Sequence, residues 1–238
     1  RGAASAAPRL REILRAARDL GGHVHVDMEA LDYREAVRDL TLALLSEDEF
    51  VAGPSAGIVH QAYLTDAGDE LDVLLDWARG GGGQRAHPLS IRLVKGAYWD
   101  HEVVEAQQSG WSVPVHQDRA SCDRSFEALT DRLLDHSGLV RPLIASHNLR
   151  SVAHAIAGQQ ARGLPAHAVE YQVLRGLGDP LGTALAAEGL RVRTYCPIGD
   201  LVAGMAYLVR RLLENTANDS FLRAHASGAD LNTLLEAP

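Results

Sequence analysis

The residues best equipped for chemistry lie between positions 89 and 100, LSIRLVKGAYWD. Leu89, Ile91 and Leu93 alternate with Ser90 and Arg92, the two-residue period of a half-buried strand, and Lys95 follows. Gly96 ends the run, and Tyr98 and Trp99 come next. Two cations, a glycine that admits close backbone approach and a pair of flat side chains, all at a strand's carboxyl end, suit a planar anionic ligand. The same twelve residues also read as an edge strand with two solvated cations and a capping aromatic.

A second group falls on a helix expected over 201–215. Tyr207, Arg210, Arg211 and Glu214 are spaced 0, 3, 4 and 7 and so share one face. Adjacent arginines offer planar forks of donors to a small carboxylate. The plainer alternative is a solvated face whose Arg210–Glu214 pair contributes little.

Helical spacing is found over 8–20, 33–45, 70–79, 102–108, 121–134, 152–162, 181–188 and 201–215. Strands are expected over 23–29, 56–64, 89–95, 142–148, 167–174 and 191–197, with 80–83 as a flexible glycine loop and 109–117 irregular. Such alternation implies a parallel sheet covered by helices, either an open doubly wound sheet or a closed barrel. The nearest approach to a dinucleotide fingerprint, Gly176, Gly178 and Gly182, has the wrong final spacing. Polar residues gather instead at strand carboxyl ends: Asp27, Gln61, Arg92 with Lys95, His147 and Tyr195. In a barrel those ends meet at one mouth. A full barrel has eight strands and six are readable, so two are expected ahead of Arg1.

The 238 residues suffice for one large domain or two small ones, and 46% are apolar. No apolar run reaches the ~18 residues of a membrane span. A net charge of −8 without a Lys/Arg block argues against nucleic-acid contact. Cys122 and Cys196 form no C-x-x-C motif and read as small buried apolar residues rather than nucleophiles.

RLVKGAYWD at 92–100, SHN at 146–148 and AYLVRRLLENTANDSF at 206–221 together resemble the proline dehydrogenase family, and most closely its domain in bifunctional proline utilisation proteins. The resemblance runs from about Gly21 to Arg223. It implies an α/β fold, a (β/α)8 TIM-like barrel over 1–223 that lacks its first two strands here, with 224–238 as a tail or linker. It implies non-covalently bound FAD and oxidation of L-proline to Δ1-pyrroline-5-carboxylate, by hydride transfer from C5 to the flavin N5. A quinone is the expected electron acceptor. An aldehyde dehydrogenase domain after Pro238, a cytoplasmic location and peripheral contact with the inner face of the cell membrane are further expectations.

Residue by residue, the resemblance makes Asp27 and Arg92 the catalytic pair. Met28, Gln61, Arg92, Lys95, Gly96, Ala97, Trp99, Ser146 and His147 fall on cofactor-contacting positions. Arg210 and Arg211 match the arginines that hold the proline carboxylate, and Glu214 the acid beside them. Tyr98, Leu174, Tyr195 and Tyr207 match the wall around the substrate ring. Ser146 stands where the family often has threonine. A lysine that helps bind the carboxylate has no counterpart, having gone with the first two strands.

Two rivals remain. His23, His25, Lys95, His147, His167 and Asp200 follow the ligand order of metal-dependent amidohydrolases on the same barrel. His23 and His25 precede the polar end of their strand, which counts against them as ligands, and no metal site is expected. The other rival is a non-catalytic barrel that regulates or scaffolds; retention of Arg92, Lys95, Arg210 and Arg211 speaks against such decay.

Overall fold

The computed structural model describes residues 2–28, 30–200, 202, 204, 205, 209 and 235–238. It divides into two compact units, residues 1–143 and 144–238. The first unit holds α1 (Gly2–Asp19), β1 (His23–Val26), α2 (Arg34–Leu45), β2 (Ser55–Gln61), α3 (Ala67–Arg79), β3 (Ser90–Val94), α4 (Trp99–Ser109) and α5 (Arg119–Asp135). Strand β4 (Arg141–Ala145) straddles the division. The second unit holds α6 (Leu149–Ala161), β5 (Glu170–Leu174), α7 (Asp179–Ala187) and β6 (Arg191–Tyr195). The strands follow chain order in the sheet, β1 to β6. The β1–β2, β2–β3 and β5–β6 pairs are parallel, as the strand–helix alternation requires.

In the first unit the core forms where helix stripes meet the outer face of the strands. Leu71, Leu74, Leu75 and Ala78 recur at helical spacing along α3 and are all buried. They join Ile58 of β2, Ile91 and Leu93 of β3, and Phe126, Leu129 and Leu133 of α5. Arg85, ahead of β3, ties that strand to the segment between α2 and β2. Its guanidinium is buried and donates to the carbonyls of Leu45 (2.8 Å), Phe50 (2.5 Å) and Pro54 (2.6 Å). Three carbonyl partners satisfy a cation that would otherwise be costly to bury.

Several boundaries differ from those expected. Helix α1 starts at Gly2 and contains Pro8, although proline favours a helix's first turn. The preceding alanines, strong helix formers, carry the extra turns. Strand β1 ends at Val26, so Asp27 lies just beyond it. The glycine stretch is no flexible loop: Gly81–Gln84 forms a 3-10 turn in which a Cβ on the buried Gly82 would collide with the Trp77 ring. Cys122 is partly buried, and burial pushes its thiol up to about 11. Cys196, by contrast, is exposed: it follows the exposed edge strand β6 rather than a packed one. Val202, Gly204, Met205 and Val209 are helical. Among the described residues no helix is long and apolar enough to cross a membrane.

Candidate active site

The register of the first three strands brings Asp27 and Arg92 together. Val26 pairs with Ile58, which pairs with Ile91. One residue on, Asp27 is level with Val59, which pairs with Arg92. Alternation puts Asp27 and Arg92 on the same face, two strands or ~9.5 Å apart at the backbone. The long arginine side chain reaches across Val59, and its Nη1 donates to Asp27 Oδ1 at 2.5 Å. The Arg92 side chain is only 14% exposed and that of Asp27 is 46% exposed, so the pair stands where buried strand gives way to solvent. Met28 and Gln61, at the ends of β1 and β2, are both buried.

Beyond β3 the chain turns through Gly96, whose φ of 144° is a left-handed value that side-chain-bearing residues rarely adopt. A Cβ there would also strike the ring of Tyr63. Lys95 is held on two sides. Its Nζ donates to Asp123 Oδ1 and lies 5.7 Å from the centre of the Phe126 ring, a cation–π distance. Asp123 is supplied by α5, whose first turn is capped by Asp118 accepting from the Ser121 N–H at 2.7 Å. Ala97 is exposed. Trp99 opens α4, and its indole N–H donates to the His116 carbonyl at 2.8 Å.

In the second unit, SHN is a strand-to-helix junction. Ser146 Oγ accepts from the Asn148 N–H at 3.1 Å, and Asn148 Oδ1 caps α6 by accepting from the Ser151 N–H at 3.1 Å. His147 Nε2 accepts from the backbone N–H of Leu174 at 3.0 Å, joining the ends of β4 and β5. That bond puts the proton of the neutral imidazole on Nδ1. Tyr195 ends β6, and its carbonyl accepts from the Arg175 N–H at 2.9 Å. Beneath these residues Glu170 is fully enclosed. Burial alone would raise its pKa, but hydrogen bonds from Arg193 and Gln172 and the charge of Arg191 hold it below the usual carboxylate range.

Sequence reasoning missed Asp123, Phe126 and Tyr63. The first two sit on a helix about 30 residues from Lys95 in sequence, and no local pattern marks such a pairing. Tyr207, Arg210, Arg211 and Glu214 lie outside the described residues. His23 and His25, the proposed ligands of the metal-dependent rival, are engaged otherwise: His23 Nδ1 lies 2.9 Å from Ser55 Oγ and its Nε2 3.4 Å from His25 Nδ1. Among the described residues no three His, Cys, Asp or Glu side chains are grouped to hold a metal.

The family profile described as Proline dehydrogenase matches residues 2–224. The chain belongs to the proline dehydrogenase family. The bifunctional protein PutA of Escherichia coli K12 is 37% identical over 224 residues, covering 90% of this chain and 16% of that protein. Human mitochondrial proline dehydrogenase 1 is 28% identical over 214 residues, covering 88% of this chain and 35% of that protein. The crystal structure of proline utilization A from Bdellovibrio bacteriovorus, inactivated by N-propargylglycine, superposes with a TM-score of 0.93 at 38% identity, covering 99% of this chain and 24% of that one. The chain thus spans less than half the length of each of these relatives. Its fold is the α/β, TIM-like barrel fold of proline dehydrogenase, with six strands among the described residues.

Proposed function

We propose that this chain forms the proline-oxidising site of a flavoenzyme that converts L-proline to Δ1-pyrroline-5-carboxylate. The observation that carries this reading is the Asp27–Arg92 pair at the strand carboxyl ends, in a chain that the proline dehydrogenase profile matches over residues 2–224.

The residues present fit FAD. Arg92 and Lys95 supply positive charge toward a planar anion, and the bare Gly96 backbone backed by Tyr63 leaves no side chain in the way. The His147 ring is fixed at the end of β4 by its bond from the Leu174 N–H. Met28, Gln61, Arg92, Lys95, Gly96, Ala97, Trp99, Ser146 and His147 would hold the cofactor. Bound there, FAD would supply the acceptor for the hydride that leaves proline C5, with a quinone as the expected onward acceptor.

The chain's own residues position and polarise. Arg92 places a fixed cation where negative charge develops, and Asp27 fixes its direction. Arg210 and Arg211 grip the proline carboxylate through paired donors, and Glu214 steadies them. Tyr98, Leu174, Tyr195 and Tyr207 wall the ring and exclude water, so that C5 is held ready rather than found by diffusion. Proline loses the hydride at C5 and the proton at nitrogen, and the C5–N bond becomes double.

The relatives named PutA are bifunctional, and an aldehyde dehydrogenase domain in the same polypeptide would consume the product once its ring opens. The expected setting is cytoplasmic, with peripheral contact at the inner membrane face. The natural protein carrying this chain, given L-proline and an artificial electron-accepting dye, should form Δ1-pyrroline-5-carboxylate in step with dye reduction. Absence of that product would sink the assignment.

A further inference from the structure

We propose that Tyr63 is the positioning residue of the Lys95–Trp99 loop, setting the geometry that this loop presents to the cofactor. The inference rests on the functional reading above. Tyr63 follows β2, is almost wholly buried, touches the loop through its backbone N–H and its ring, and reaches it again through His116. Its backbone N–H donates to the Lys95 carbonyl at 2.7 Å. Its ring fills the space a side chain at Gly96 would need. Its carbonyl accepts from the His116 N–H at 2.8 Å, and the His116 carbonyl in turn takes the Trp99 indole N–H at 2.8 Å.

A loop of five residues that lies beyond its strand has lost the ladder that would hold it. Here one aromatic residue replaces the ladder. Backbone and ring of Tyr63 fix two consecutive levels of the loop, at Lys95 and Gly96, and His116 carries the restraint to Trp99. Gly96 then has two reasons to be glycine: its backbone angle, and the ring beneath it.

The test is Tyr63→Leu in the natural holoprotein, which keeps the backbone bonds and an apolar side chain and removes the ring beneath Gly96. Amide exchange of the segment 95–99 should quicken, while segments in β1 and β2 keep their protection. FAD affinity should fall about tenfold, and the circular dichroism of the bound flavin should change. A variant with a lowered melting temperature but unchanged loop exchange and unchanged FAD affinity would reduce Tyr63 to ordinary core and overturn the proposal. Should the variant not fold, wild-type exchange decides: the His116 amide protected as strongly as the β3 amides supports the proposal, and an unprotected His116 amide refutes it. If wild type binds no flavin, the functional reading fails, whereas the exchange result still reports on Tyr63 alone.

Discussion

Arg92 Nη1 donates to Asp27 Oδ1 at 2.5 Å across the full width of the intervening strand β2. The bond works as a strut. It spans two strand spacings, so it forms only when β1, β2 and β3 are in their native register. The carboxylate thereby fixes the direction of the arginine side chain.

Replacing Arg92 with lysine keeps the charge but shortens the reach and removes the fork. The expected outcome is a kcat/KM for proline lower by about 100-fold or more, the range for losing a preorganised cation at a developing charge. Asp27→Asn should cost less, because a neutral amide still accepts the Arg92 hydrogen bond. Steady-state kinetics of both variants at equal flavin content tests the order. An Asp27→Asn loss larger than that of Arg92→Lys would assign Asp27 a role of its own beyond orienting Arg92.

Glu102 of α4 is a buried carboxyl whose Oε1 has no hydrogen-bond partner. Burial raises its pKa above the ordinary 4.5, with the charge of His101 only partly opposing. The folded state therefore holds this proton more tightly than the unfolded chain does, and stability is lost as pH rises from 4.5 through the raised value. Glu102→Gln should stabilise the protein at pH 7 to 8, and the gain should vanish near pH 4. Urea unfolding of both proteins at the two pH values measures it.

His60 of β2 is wholly enclosed, and burial lowers its pKa from 6.5 to about 4. The unfolded chain takes up a proton below pH 6.5 that the folded one refuses until about pH 4. Stability should therefore fall as pH drops through that window, by about 3 kcal/mol in all. In His60→Phe that part of the acid slope should disappear in pH-dependent unfolding curves. An identical slope in both proteins would show that other groups govern acid unfolding.

The strand–helix alternation was legible because each element carries its own period, as in Leu71–Leu74–Leu75–Ala78 of α3. Asp27 and Arg92 are legible as polar residues at strand ends, and the roles proposed for them come from motif resemblance. Their bond was not, since it depends on the register of three strands. Asp123 was missed for the same reason: Lys95 meets it through tertiary packing. The glycine run misled because composition suggests freedom, whereas the Trp77 ring imposes order on Gly82. Pro8 misled by favouring a helix start it does not occupy.

The most direct measurement is an absorption spectrum of the natural protein carrying this chain, recorded anaerobically before and after L-proline. A band near about 450 nm, characteristic of oxidised flavin, should be present and should bleach on adding L-proline. Absence of the band, or a band that L-proline leaves unchanged, would contradict the account.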